Sequence, residues 1–142
     1  MYEGSLEHNR AYGFGRYNYK SGFVYEGTWE NDFYHGYGVE IWPDGTVVES
    51  EYTNGVKEGP GSINFPDKSF FVGEFINDKI NGYGKFVFKD GKEYTGEFLN
   101  GKMHGKGTCV WPDGRSYSGE YVDDLKEGYG VYTYTDGRIY KG

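Results

Sequence analysis

The chain has 142 residues, a formal net charge of −7, 25 glycines and an aromatic content of 20%. Glycine at this density excludes a helical bundle, because each interior glycine costs about 0.8–1.0 kcal/mol relative to alanine. The rings exclude a disordered chain, 4 prolines are too few for collagen, and the acidity argues against broad nucleic-acid binding, which needs clustered Lys and Arg.

From Tyr2 onward the sequence repeats every 23 residues without a slip. The units are 2–24, 25–47, 48–70, 71–93, 94–116 and 117–139, and residues 140–142 begin another. We number the positions of each unit as slots 1 to 23. Slots 1–6 and 13–18 alternate with period two, and each predicts a short strand. In chain order the predicted strands are 2–7 and 14–19, 25–30 and 37–42, 48–53 and 60–65, 71–76 and 83–88, 94–99 and 106–111, then 117–122 and 129–134. Between units stand turns such as Pro43-Asp44-Gly45, Lys89-Asp90-Gly91 and Pro112-Asp113-Gly114. This is the chemistry of a type I turn closed by a left-handed glycine. It pairs slot 18 with 22, 16 with 1 and 14 with 3. Within each unit, Asn54-Gly55, Asn77-Asp78 and Asn100-Gly101 mark the other turn. The expected fold is all-β: an elongated, single-layer, twisted antiparallel meander of stacked 23-residue β-hairpin repeats, one array over residues 1–142. Two strands per unit give roughly 10 Å per repeat.

The register puts slots 1, 3, 5, 14, 16 and 18 on one face. Glycines at slots 3 and 14 face each other there, and flat rings can lie on bare backbone beside them. The other face is polar, with Glu49, Glu51, Glu74, Glu97 and Glu120. Tyr37, Tyr83 and Tyr129 in slot 13 fall on it too and need neighbours. Unit 48–70 departs from the pattern: Val48 stands for tyrosine, Ser50 and Lys68 stand for glycine, and Pro60 removes a strand donor.

Reactive chemistry is sparse. His35 and His104 share slot 11 three units apart, roughly 29 Å by strand spacing, too far to share a metal. His8 sits in the first loop, and the aspartates of slot 20 suit turns. Cys109, in slot 16, reads as a small apolar filler. Gly-x-Gly at slots 12 and 14 lacks the third glycine of a dinucleotide site, and no phosphate-binding loop occurs. No catalytic residue, metal site or cofactor is expected. The single cysteine, the lack of a long apolar run and the start Met1-Tyr2-Glu3-Gly4 fit a cytoplasmic protein.

The pattern Tyr-x-Gly-Glu-Phe/Tyr-x-Asn-Gly-Lys-x-His-Gly-x-Gly…Trp-Pro-Asp-Gly, nearly complete in residues 94–116, resembles the MORN repeat (membrane occupation and recognition nexus) along the whole chain. The resemblance implies a hairpin ribbon used as a scaffold or protein-binding module, often at cytoskeletal or membrane-associated structures.

One side of the ring stripe has no second layer, so it reads as a partner-binding groove for a helical or extended peptide. Its residues are Tyr25, Trp29, Trp42, Tyr52, Phe65, Phe71 and Phe75, then Phe88, Tyr94, Phe98, Trp111, Tyr117, Tyr121 and Tyr134. The alternative is an anionic phospholipid surface, met by a basic ladder of Lys92, Arg115 and Arg138. Unpaired edges at the first strand and at Tyr140-Lys141-Gly142 point to a homodimer through terminal repeats.

Overall fold

In a computed structural model all 142 residues are described. The strands are β1 (Tyr2–Glu7), β2 (Arg10–Asn18), β3 (Val24–Glu30), β4 (Phe33–Ile41), β5 (Val47–Thr53), β6 (Val56–Asn64) and β7 (Phe70–Ile76). They continue with β8 (Lys79–Val87), β9 (Glu93–Leu99), β10 (Lys102–Val110), β11 (Ser116–Val122), β12 (Leu125–Thr133) and β13 (Ile139–Lys141). There is no helix, and the strands form one antiparallel sheet of 13 in chain order. The chain divides into two units, Met1–Pro66 with Phe75–Asp78, and Asp67–Glu74 with Lys79–Gly142.

The turn between repeats closes as the sequence implies. The amide of Gly45 donates to the carbonyl of Trp42, and that of Trp42 donates to the carbonyl of Thr46, both at 2.9 Å. Gly45 is left-handed, with φ 97°, and Lys68 is held in the same conformation at φ 76°. The expected register follows: Gly15 pairs with Gly27 and Tyr17 with Tyr25, and Gly107 pairs with Gly119 and Cys109 with Tyr117. The turn aspartates act as turn residues. The Asp44 carboxylate accepts the amide of Thr46 at 2.8 Å, and the Asp113 carboxylate that of Arg115 at 3.0 Å.

The second strand of each hairpin differs from its predicted extent. It starts at slot 9, four residues early, as in Lys102–Val110. The inner turn has two residues only, such as Asn54-Gly55 at φ 48° and 87° and Asp123-Asp124 at φ 47° and 71°. That is the two-residue hairpin loop whose twist suits flanking strands. Glycine of slot 12 therefore lies in a bulge within the strand, where the register jumps between Met103 and Gly107.

The bulge explains the tyrosine of slot 1. The Tyr25 hydroxyl donates to the carbonyl of Thr28, and the Tyr94 hydroxyl to that of Glu97, both at 2.8 Å. To get there the ring crosses the two facing glycines, and a Cβ on Gly38 or Gly107 would overlap it. Each repeat also grips the next. The Asp32, Asp78 and Asp124 carboxylates accept the amides of Ala11, Lys57 and Met103 at 2.6–2.8 Å. Slot 11 side chains of His35, Glu58 and Asn81 accept the amides of Asn54, Asn77 and Asn100 at 3.0–3.3 Å. His35 is thus a structural acceptor.

Candidate functional site

The structure splits the fourteen rings of the expected groove into two populations. Tyr25, Trp29, Tyr52, Phe71, Phe75, Tyr94, Phe98, Tyr117 and Tyr121, from slots 1 and 5, are each 6% exposed or less. They form the core of the sheet face itself. Tyr25 stacks on Tyr34 at 3.7 Å between centroids and meets Trp29 and Tyr52 edge-on. Tyr94 meets Phe98 and Tyr121 edge-on. Such pairs add about 0.5–1.5 kcal/mol each beyond burial. Burial pushes the Tyr94 hydroxyl up to about 12 and raises those of Tyr25 and Tyr121 further, so these groups stay neutral donors. The Tyr121 hydroxyl donates to the Cys109 sulfur at 3.2 Å, which places Cys109 inside this core.

The remaining five belong to slot 18. Trp42 and Tyr134 are exposed, and Phe65, Phe88 and Trp111 are half-buried. They flank the closed core instead of filling it. In the second unit Phe86 and Phe88 border two open cavities. One of about 380 Å³ is completed by Phe98, Met103, Gly101 and Asp124. The other, about 520 Å³, is completed by Asp67, Ser69, Lys89 and Asp90.

The residues of the basic ladder stand over these same rings. Lys92 Nζ lies 4.2 Å from the Phe88 centroid, and the guanidinium carbons of Arg115 and Arg138 lie 5.2 Å from Trp111 and 5.4 Å from Tyr134. Arg115 and Arg138 also pair with Asp113 and Asp136 at 2.8 and 2.7 Å. Two rungs are therefore neutralised by their own turn aspartates, and all three are ring caps. Lys126, not singled out by its sequence, adds a fourth cation 5.3 Å from Trp111 and 4.7 Å from Tyr132.

A second group escaped the sequence reading. Glu40 is buried in slot 16, where it accepts the Tyr52 hydroxyl and pairs with Lys57 Nζ at 3.1 Å. Lys57 reaches Asp78 at 3.6 Å and lies 5.9 Å from the Tyr52 and Phe75 rings. The available signal was a glutamate in slot 16 and a lysine in slot 10, positions that elsewhere hold mostly apolar residues.

Known proteins place this architecture. The MORN repeat family matches residues 25–47, 49–70, 71–93, 94–114 and 117–137. No curated protein sequence matches the chain. Among solved structures, the TCP domain of SAS-4 (dCPAP) from Drosophila melanogaster, in complex with a proline-rich motif of Ana2 (dSTIL), has a TM-score of 0.57 at 14% identity, over 91% of this chain and 71% of that one. The G-box domain of the microcephaly protein CPAP has a TM-score of 0.52 at 17% identity, over 91% and 79%. At these identities the likeness is one of fold. No helix is long and apolar enough to cross a membrane.

Proposed function

The chain belongs to the MORN-repeat family, and from that premise we propose that it is a non-catalytic protein-interaction module that holds a peptide segment against its slot 18 rings. One observation carries the reading: Phe88 stays half-buried beside two open cavities, with Trp111 half-buried in the same row, while the rings of slots 1 and 5 close on each other. Aromatic side chains next to such hollows are the usual anchors at interfaces. A helical or extended segment with a bulky apolar residue suits the 380 Å³ cavity. The TCP domain of SAS-4, similar in fold, is in complex with a peptide motif, which supports a peptide as the kind of partner. A non-catalytic role is supported by the structural work of the reactive groups: His35 holds a turn and Cys109 lies under Tyr121.

The test is affinity capture by the wild-type chain and by Phe88→Ala/Trp111→Ala, at low and high salt. A specific protein retained at both salts by the wild type and lost by the variant supports the reading. Equal capture by both contradicts it. Salt-sensitive co-sedimentation with anionic liposomes, abolished at Lys92, Arg115 and Arg138, would favour a lipid surface instead.

A further inference from the structure

The opposite face carries rings that the slot 18 row does not use. Phe14, Tyr37, Tyr83 and Tyr129, all in slot 13, are 53–67% exposed. In the second unit Tyr83 and Tyr129 are the walls of a cleft of about 560 Å³. Its floor is the backbone of Gly96, Gly107 and Gly119. Beside that floor stand the small residues Thr95, Thr108 and Ser118, and the hydroxyls of Thr108 and Ser118 lie 3.0 Å apart. The first unit has a smaller counterpart: slot 13 rings one repeat apart, Phe14 and Tyr37, flank Gly27 in a cleft of about 310 Å³ beside Glu26 and Val39. Two separate clefts built from the same slots mark a feature of the repeat.

We propose that this face docks a proline-rich segment of a partner, in polyproline II conformation, carrying Lys or Arg between its prolines and lying across the strands. Spacing selects the conformation. One repeat advances two strands, about 9.6 Å. One turn of polyproline II, three residues, advances about 9.3 Å. Tyr83 and Tyr129 are two repeats apart, so they meet prolines six residues apart on one side of the segment. An α-helical turn advances about 5.4 Å and falls out of step. A β-strand needs free backbone to pair with, and the cleft floor belongs to interior strands. Flat tyrosine rings and hydroxyl donors are what grooves for polyproline II offer prolyl rings and free carbonyls. The charge of the segment follows from the face: Glu74, Glu97 and Glu120 occupy slot 4 of successive repeats against the single cation lining the cleft, Lys106, and the chain carries a net charge of −7. This surface is independent of the row at Phe88 and Trp111.

The experiment is amide chemical-shift titration of the whole chain with nine-residue peptides of repeating Pro-Pro-Arg, and with controls in which glycine replaces proline. The expected result is saturable binding of the proline peptide, with shifts at Gly96, Gly107 and Gly119. Binding should weaken about tenfold or more in Tyr83→Ser/Tyr129→Ser and stay unchanged in Phe88→Ala/Trp111→Ala. Both tyrosines are exposed, so the variant retains the fold, which the same spectra verify. No saturable binding, equal binding of the glycine control, or shifts at Phe88 and Trp111 would overturn the proposal. The last result would leave the slot 18 reading standing.

Discussion

Repeats 94–116 and 48–70 solve one problem in two ways. The bulge exposes the slot 4 carbonyl in both. In the regular repeat the Tyr94 hydroxyl reaches it across bare Gly96 and Gly107. In the divergent repeat Val48 has no hydroxyl and does not reach over slot 3. Ser50 fills the space a glycine leaves elsewhere, and its own hydroxyl donates to the Glu51 carbonyl at 3.0 Å. Two departures from the consensus are thus one compensated exchange. Pro60 fits the same logic: in slot 13 of the regular repeat the Lys106 amide donates to the Glu97 carboxylate at 2.7 Å, so proline there forgoes a side-chain bond. The repeat is defined by which backbone groups must be satisfied more than by which residues satisfy them.

The largest expected effect comes from the regular lock. Tyr94→Ala should cost about 3–5 kcal/mol by chemical denaturation, as large buried rings do, whereas Val48→Ala should cost much less. A smaller loss, about 2 kcal/mol, is expected for Glu40→Gln, which removes the nearer of the two carboxylates that Lys57 Nζ reaches and leaves it Asp78 at 3.6 Å. The triple change Glu40→Ile/Tyr52→Phe/Lys57→Met, which restores apolar neighbours, should recover most of it. Next, Ser50→Gly and Val48→Tyr should each destabilise by about 1 kcal/mol, through a lost bond and through crowding. Together they should be nearly neutral, a coupling that a double-mutant cycle reads directly. Lys68→Gly should raise stability by up to about 1 kcal/mol by relieving a left-handed non-glycine residue.

The smallest effect is one of pH. Hydrogen bonds from the Thr46 amide, the Ser69 hydroxyl and the Arg115 amide hold Asp44, Asp67 and Asp113 below the usual carboxylate range. A lowered folded-state value contributes stability above the unfolded pKa and loses it as pH falls through the folded one. Thermal midpoints should therefore be flat above about pH 5 and fall below about pH 4. Asp113→Asn should flatten part of that decline.

Much of the fold was legible because period and turn chemistry are local. The left-handed glycine of slot 21 dictates the turn, and the turn dictates the pairing of slots 14 and 3. The early start of β10 was not legible, since the bulge at Gly105 depends on the Tyr94 hydroxyl meeting a carbonyl that only folding exposes. The ring stripe was legible as a face, but its division was not. Whether Tyr25 or Trp42 closes the core depends on how far each ring leans over its neighbours, which the slot alone does not state. Glu40 and Lys57 are 17 residues apart and meet only through register.

The most direct test of two ring populations, one holding the sheet and one holding a partner, measures folding and capture together in Trp42→Ala/Trp111→Ala. The account expects a cooperative melt and a far-ultraviolet spectrum close to wild type, with loss of a specifically captured protein. A variant that folds and still captures the same protein would contradict it.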